Sequence, residues 1–382
     1  MINQVRLLDV CDFQGGTQPP KNEWISEPQE GYVRMLQIRD YSQGAEKFIE
    51  YVKDTGKLHM CSEDDIMLSR YGYIGQAFTG LAGAYNVALV KVIKKREIDT
   101  KYLFYYFQSA YFQHSLLSSV GSRATIPGFN KSELENTLIP IPNINEQEKI
   151  GTVLNKLDEI LELHQAQITK LDELVKARFV ELFGTLENPV QEFKKATLKE
   201  LCNKITDGKH GGCTQEEGTE RYFVGAREIY DDEVHYDTAP EINVVEFEKD
   251  YKRCNIEIGD FLIVNTGATI GKSAIATDLR TKHTLLQKSV ALLKVKQKLL
   301  NPVFLKWCYR VNTKMYMVES ASAQPNLLLS KINATEIYVP DIELQNQFTT
   351  FVEQTDKSKL AIQQSLDKLE TLKKALMQKY FG

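Results

Sequence analysis

Residues 145–184 read NEQEKIGTVLNKLDEILELHQAQITKLDELVKARFVELFG, and residues 343–382 read ELQNQFTTFVEQTDKSKLAIQQSLDKLETLKKALMQKYFG. Apolar side chains recur in both stretches at steps of mostly three and four residues, which is typical of a helix with one apolar face. About 38 residues at 1.5 Å each predict a rod of about 55–60 Å. Such a length is typical of coiled coils. Because each helix has a single apolar stripe, we expect the two helices to pair with each other in antiparallel orientation.

The long helices belong to a repeat that covers the whole chain. Residues 127–184 align without a gap on residues 325–382. Identical pairs in this alignment include Pro142 and Pro340, Gln147 and Gln345, and Phe183 and Phe381. The sequence therefore predicts two similar globular domains, each followed by a long helix, and a pseudo-two-fold molecule. The predicted boundaries are 1–144 and 185–342 for the globular domains, and 145–184 and 343–382 for the helices.

Local signals mark the ends of the predicted long helices. Asn145 and Glu148 have the spacing of an N-cap and its third helical residue. Gly184 and Gly382 are suited to the position that follows a helix end. The globular domains show short β-like runs, such as residues 87–93 and 289–295, between helical segments. We therefore predict the α/β (α+β) fold class.

The charge of the chain is nearly balanced. Its 382 residues include 47 Lys and Arg and 51 Asp and Glu, which gives a net charge of −4. Residues 1–145 carry 15 basic and 16 acidic residues, and residues 185–342 carry 21 and 22. A surface that binds nucleic acid everywhere would be basic, so this balance excludes that class of protein. Any nucleic-acid binding must come from local clusters of cations.

Six cysteines are scattered through the chain without a C-x-x-C pair, and we expect them to be reduced thiols. Cys202, His210 and Cys213 are the nearest approach to a metal cluster, but a fourth ligand at zinc-finger spacing is missing. The sequence has no run of about 18 apolar residues and no signal-peptide pattern at its start. We therefore expect a cytoplasmic protein that has no metal site and does not contact a membrane.

Each half contains the same ordered set of short motifs. A pair of glycines follows a β-like run, then come a proline-centred turn, a strand that ends at proline and a glutamine-rich helix start. In the first half these motifs lie at residues 72–75, 124–127, 139–142 and 145–148. In the second half they lie at residues 267–271, 323–326, 337–340 and 344–347.

This doubled layout resembles the specificity subunit of type I restriction–modification enzymes, and the resemblance covers essentially the whole chain. It implies that each globular half is a target recognition domain that reads one half of a bipartite, asymmetric sequence in double-stranded DNA. It also implies that the long helices set the spacing between the two half-sites and dock two methyltransferase subunits. Restriction and motor subunits are further candidate partners.

The resemblance also implies a subunit without a catalytic centre or a cofactor of its own, with S-adenosylmethionine bound only by the methyltransferase. The residues agree with this expectation. Residues 267–273 approach a phosphate-binding P-loop, but only three residues separate Gly267 from Gly271, where the motif requires four. Neither Asn-Pro pair, at residues 188–189 and 301–302, continues to the second proline of an amino-methyltransferase motif.

Polar residues in the predicted loops are the candidates for DNA contact, because mobile loops on a rigid scaffold commonly carry recognition. An arginine such as Arg70 can bind the O6 and N7 atoms of guanine with two hydrogen bonds. The candidates in the first half are Gln18, Lys21, Arg70, Tyr71, Tyr73 and Arg123. Those in the second half are Lys209, His210, Asn265, Thr266, Lys272, Lys282 and His283. For each of them, an ordinary solvated loop residue is the alternative interpretation.

An alternative function is a scaffold whose coiled coil binds protein partners and whose globular halves do not bind DNA. The near balance of charge is compatible with this alternative. Co-purification with a methyltransferase, and DNA binding that weakens as salt rises, would separate the two hypotheses.

Overall fold

The computed structural model of the chain describes residues 4–120, 128–317 and 326–382. The chain divides into two compact units. The first unit consists of Met1–Ala166 and Gln363–Gly382, and the second consists of Gln167–Ile362. Each unit therefore contains one globular region and parts of both long helices.

The part of the first unit that the structure describes contains two four-stranded sheets and one strand pair. The central sheet is antiparallel and has the strand order Cys11–Gly15, Leu89–Lys94, Met67–Ser69, Ala77–Phe78. The other sheet has the order Tyr51–Lys53, Tyr32–Leu36, Gly83–Tyr85, Met60–Cys61, with one parallel pair in its middle. Gln4–Arg6 pairs with Leu138–Pro140. The shorter α-helices are Leu7–Val10, Ile38–Ser42, Thr100–Gln108 and Ala110–Val120.

The second unit repeats the central sheet of the first. Its antiparallel strand order is Cys202–Asp207, Val290–Val295, Phe261–Val264, Ser273–Ile275. The strand pairs are Lys194–Thr197 with Glu336–Val339, Tyr222–Val224 with Thr284–Leu286, and Ile229–Tyr230 with Glu233–Val234. The shorter α-helices are Leu198–Leu201, Val244–Tyr251, Pro302–Val311 and Leu329–Ala334. Both units mix helices and sheets, which confirms the predicted α/β (α+β) class.

The long helices span Ile144–Phe183 and Ile342–Phe381. The prediction that Asn145 caps the first of them is wrong, because the helix begins earlier. Asn143 Oδ1 accepts a hydrogen bond from Glu146 N at 3.0 Å. The position is fixed by Gln147, which is buried and donates from Nε2 to the Pro142 carbonyl at 2.8 Å. Gln345 makes the equivalent bond to the Pro340 carbonyl, also at 2.8 Å, before the second long helix.

The two long helices run antiparallel within the first unit. Lys373, late in the second helix, donates to the carboxylate of Asp158, early in the first. Phe381 packs on the ring of Tyr102 at 5.1 Å and belongs to the same apolar cluster as Ile150. Late residues of one helix thus meet early residues of the other, as the sequence predicted.

The second unit shows the same orientation. Lys359 Nζ lies 2.9 Å from Asp172 Oδ1, and the rings of Phe348 and Phe183 are 5.7 Å apart. Phe183 also packs edge-on against Phe304 at 4.9 Å. Each helix therefore ends in a phenylalanine that is buried in the unit to which it belongs, since Phe183 is 0% exposed and Phe381 is 2% exposed.

The expectation of a single apolar stripe on each helix is only partly right. On the first helix, Ile150, Leu154 and Leu157 are buried. Val153 and Ile160, which continue the same spacing, are 43% and 39% exposed. The apolar positions spread over a wider arc than one neighbouring helix can cover, so a second row of apolar side chains reaches the surface.

Among residues 4–120, 128–317 and 326–382, no helix combines the length and the apolar character needed to cross a membrane.

Candidate nucleic-acid interface

The central sheet brings two loops of each unit to one edge. In the first unit, Cys11–Gly15 and Met67–Ser69 both run antiparallel to Leu89–Lys94. Two strands that are each antiparallel to the strand between them end on the same side of the sheet. The loops that follow them, at residues 16–20 and 70–76, therefore converge. The second unit places the loops at residues 208–214 and 265–272 in the same way.

The first loop of the first unit turns tightly at Gly16. Thr17 N donates to the Tyr85 carbonyl at 3.0 Å. A Cβ on Gly16 would lie 2.1 Å from Asn86 O, so only glycine permits this close approach. Gln18, a predicted contact residue, follows this turn and is exposed.

Lys21 lies beyond the turn and is held by its neighbours. Its Nζ is 2.6 Å from Glu50 Oε1 and 3.7 Å from the ring centre of Trp24. The Lys21 side chain is nevertheless 60% exposed. It can still reach a phosphate, but the ion pair with Glu50 would compete for its charge.

Arg70 is the most firmly oriented cation in this part of the first unit. Its Nε donates to the Phe129 carbonyl at 3.1 Å, and its Nη2 donates to Asn130 Oδ1. The guanidinium carbon lies 5.4 Å from the ring centre of Tyr71. Tyr71 forms an isolated antiparallel bridge with Gly128, where a Cβ would lie 2.4 Å from the tyrosine ring. Asn130 was not predicted, because it is separated from Arg70 by 60 residues.

Tyr73 projects from the same loop and is 86% exposed. Gly72 and Gly75, with φ of 74° and 78°, make the turns on either side of it. Beside Tyr73 lies a surface groove of about 730 Å³, which Gln76, Gln113 and Leu117 also line. An exposed ring of this kind can stack on a base or on a partner's side chain.

In the second unit, Lys209 and His210 occupy the positions that Thr17 and Gln18 hold in the first. Lys209 N donates to the Leu286 carbonyl at 2.7 Å, as Thr17 does to Tyr85. Lys209 Nζ lies 2.9 Å from Asp250 Oδ2 and 3.1 Å from Glu246 Oε2.

These two carboxylates largely neutralise Lys209. The hydrogen bond to Asp250, with a smaller contribution from Glu246, raises the pKa of Lys209. Hydrogen bonds from Thr214 and then Lys209 lower the pKa of Glu246 to about 2. His210 stays exposed, with Nε2 3.5 Å from Asp207 Oδ2. Lys209 is therefore a structural cation in this arrangement, and His210 is the more accessible of the two.

The second loop of this unit buries one predicted contact residue. Asn265 is 3% exposed, and its backbone bonds to Ser289 O and Leu327 N at 2.9 and 2.7 Å. Thr266 is half-buried and donates to Asn326 Oδ1 at 3.3 Å. Lys272, at the end of the loop, is exposed. Of the three, Lys272 is the residue best placed to meet a phosphate.

Lys282 and His283 lie apart from these loops. They precede the strand Thr284–Leu286, whereas Lys209 lies against the end of that strand. The three residues of this strand span about 10 Å, so Lys282 and His283 lie about that far from Lys209. Lys282 is exposed, and His283 Nδ1 lies 3.3 Å from Arg221 Nη1, a neighbouring cation that the sequence analysis missed.

Arg123, the remaining candidate, lies outside the described residues. Its contact with DNA stays a prediction, as do the contacts of the other candidates.

Curated relatives match parts of the chain. The MjaVIII specificity subunit of a type I restriction enzyme from Methanocaldococcus jannaschii is 32% identical over 202 residues, which is 52% of this chain and 45% of the relative. The EcoBI specificity subunit from Escherichia coli is 23% identical over 330 residues, which is 78% of this chain and 68% of the relative. The match with the first of these spans less than half of that relative's length.

Solved structures match the fold over the full length. The type I restriction–modification S subunit from M. genitalium superposes with a TM-score of 0.60 at 17% identity, covering 100% of this chain and 96% of the other. A chain from a structure of type I R-M complex assembly and conformational transition gives a TM-score of 0.62, also at 17% identity, covering 99% and 97%. At this level of identity, the similarity shows a shared fold.

A family model matches the chain twice, at residues 2–173 and 191–373. The two matches confirm the internal repeat that the sequence predicted. Together they cover most of the chain, so this protein belongs to the family described as the type I restriction modification DNA specificity domain.

Proposed function

We propose that the chain is the sequence-specific DNA-binding subunit of a type I restriction–modification enzyme, and that each unit reads one half of a bipartite, asymmetric target. One observation carries the proposal: the same loop is built twice on the same sheet edge with different side chains. Arg70 and Tyr73 occupy it in the first unit, and Lys272 is its exposed cation in the second. Two loops that share a backbone frame but carry different side chains are suited to bind two half-sites of different sequence.

The proposed DNA binding relies on a few cations rather than on bulk charge. Lys272 and Lys282 are exposed, Lys21 is exposed but paired with Glu50, and Lys209 is held by two carboxylates. Each phosphate contact adds affinity that falls as salt rises. With so few contacts, we expect weak binding by the chain alone and stronger binding when partner subunits add their own contacts.

The long helices supply the proposed spacer and docking surface. Each is continuous over 40 residues. The row of apolar side chains that includes Val153 and Ile160 offers a surface for two methyltransferase subunits, with restriction and motor subunits as further partners. The helix ends are unsuited to docking through Phe183 and Phe381, because both side chains are buried. In this proposal the chain is not catalytic, and S-adenosylmethionine binds only to the methyltransferase.

Inserting one heptad into both helices tests the spacing role. Seven residues lengthen a helix by about 10 Å, which corresponds to about three base pairs of DNA. Mapping methylated adenines across the host genome should then show a gap that is longer by about three base pairs, with both half-sites unchanged. A heptad inserted into one helix alone is the matched control, and it should abolish methylation because the helices lose their pairing. An unchanged gap would remove the spacer role.

The near balance of charge is compatible with one alternative, a scaffold that binds only proteins. A duplex-binding measurement on the purified chain and its co-purifying subunits separates the two. DNA affinity that falls steeply between 50 and 200 mM salt supports the specificity subunit. Stable protein complexes without any duplex binding would support the scaffold.

A further inference from the structure

Arg70 uses one edge of its guanidinium group for bonds inside the protein. The Nε–H and one Nη2–H point to the same side of this planar group. These are the two donors that bond to the Phe129 carbonyl and to Asn130 Oδ1. The guanidinium plane is therefore fixed by two acceptors, while Tyr71 lies 5.4 Å from its centre.

Among the residues that the structure describes, no acceptor is bonded to the opposite edge, which is formed by Nη1 and Nη2. It borders a small depression of about 120 Å³ that Gly15 and Lys131 also line. Gly15 contributes no side chain there, and even an added Cβ would stay 3.8 Å from Nη1.

The nearby acidic group does not compete for this edge. Asp12 Oδ1 lies 2.6 Å from Lys131 Nζ, and this hydrogen bond lowers the pKa of Asp12. Asp12 is thus already matched with a cation of its own. The charge of Arg70 remains available for a ligand that reaches the depression.

We infer that Arg70 reads a guanine through its open edge and that Asn130 is the positioning residue that orients it; this inference rests on the proposed function. Guanine presents O6 and N7 side by side as two acceptors in the major groove, and two parallel N–H donors match them. A guanidinium that is already oriented loses less side-chain freedom on binding. The half-site of the first unit therefore contains a guanine at the position that Arg70 faces. The corresponding residue of the second unit, Asn265, is buried, so we expect no such contact from its side chain.

Base analogues test the atoms involved. The target is first found by selecting bound duplexes from a random pool with the full chain and its co-purifying subunits. 7-Deazaguanine removes N7 and should weaken binding about 2- to 10-fold at one position of the first half-site. Inosine is the control, because it keeps O6 and N7 and lacks only the minor-groove amino group. Equal binding to the 7-deazaguanine and guanine duplexes would overturn the inference.

Variants test the two residues. Arg70→Ala should reduce the preference for guanine over the other bases at that position about 5- to 150-fold. Asn130→Ala should reduce it to a smaller extent, and Asn130→Asp should restore it because the acceptor oxygen returns. Asn130→Ala should leave the salt dependence of binding unchanged, since this substitution changes no charge.

Arg39→Ala is the matched control, because Arg39 is also bonded within the first unit, to Glu50, and shares no hydrogen bond or ion pair with residues 70–76 among the described residues. It should leave the guanine preference intact. An unchanged preference in Arg70→Ala or in Asn130→Ala would overturn the inference. Absence of any sequence-dependent binding by the unmodified protein would instead contradict the proposed function.

Discussion

The loops at residues 70–76 and 265–272 share a backbone frame and differ in their side chains. Equivalent hydrogen bonds join Ser69 N to Gln76 O and Val264 N to Lys272 O, at 2.9 and 2.8 Å. Further equivalent bonds join Phe129 N to Arg70 O and Leu327 N to Asn265 O, at 3.4 and 2.7 Å. Within these frames the first unit holds a guanidinium with one open edge, and the second buries an amide. The comparison shows that the repeat preserves the scaffold while the recognising groups change.

The two residues that form the bridge beside this frame both differ between the two units. Tyr71 requires glycine at position 128, because a Cβ there would lie 2.4 Å from the ring. The second unit has the smaller Thr266, and its partner in the equivalent bridge is Asn326. A larger loop residue is thus matched by a smaller partner. The frame tolerates different loop residues only when their neighbours across the bridge also fit.

The largest expected effect tests whether the phenylalanine at the end of each long helix stabilises its unit to a similar degree. Phe183→Ala and Phe381→Ala should each lower the free energy of unfolding by about 3–5 kcal/mol, because each leaves a cavity in a packed aromatic cluster. Denaturant unfolding of each variant measures the loss. Leu372→Ala is the control, because Leu372 is 46% exposed. A loss below about 1 kcal/mol for either phenylalanine would show that its helix end is not packed as described.

The effect of intermediate size should distinguish the role of Asn265 in one loop from the role of Arg70 in the other. Asn265→Ala should lower the free energy of unfolding by about 1–2 kcal/mol, because it removes a buried polar side chain. It should leave the base preference of both half-sites unchanged. Arg70→Ala should instead change the base preference of the first half-site, and the loss of its hydrogen bonds to the Phe129 carbonyl and Asn130 Oδ1 should lower the free energy of unfolding by about 1–2 kcal/mol. A base preference altered by Asn265→Ala would show that this buried amide is exposed on DNA.

The smallest expected effect concerns the cations of the second unit. Lys272→Ala should reduce the slope of log affinity against log salt by about 1, the value for one phosphate contact. Lys209→Ala should leave the slope unchanged, since Asp250 and Glu246 already hold its ammonium group. Titrating duplex binding at several salt concentrations measures both variants. A lower slope for Lys209→Ala would mean that DNA displaces its carboxylate partners.

Much of the fold was predictable, because its signals are local or repeated. Periodicity of three and four residues predicted both long helices, and the repeat predicted their equivalent roles. The helix start was missed by two residues because the buried Gln147 fixes it, and sequence spacing does not reveal burial. The second apolar row at Val153 and Ile160 was missed for a related reason. The pattern of apolar residues on one helix does not show how much of its apolar face a neighbouring helix will cover.

The candidate site was predictable as loops but less so as residues. The sequence marked both loops through their glycines and strands. It did not reveal that Glu246 and Asp250 hold Lys209, that Asn265 is buried, or that Asn130 orients Arg70. Each of these facts depends on residues that are 37 to 60 positions apart or on the packing of the sheet.

By itself, the sequence determined the doubled organisation, the two long amphipathic helices and the loops that carry polar residues. Those features follow from local periodicity, turn-forming residues and self-similarity, which are all written along the chain. Only the tertiary structure decided which of the polar side chains remain free to bind. The freedom of a charged group depends on the acceptors that surround it, and strand pairing brings those acceptors from distant parts of the chain.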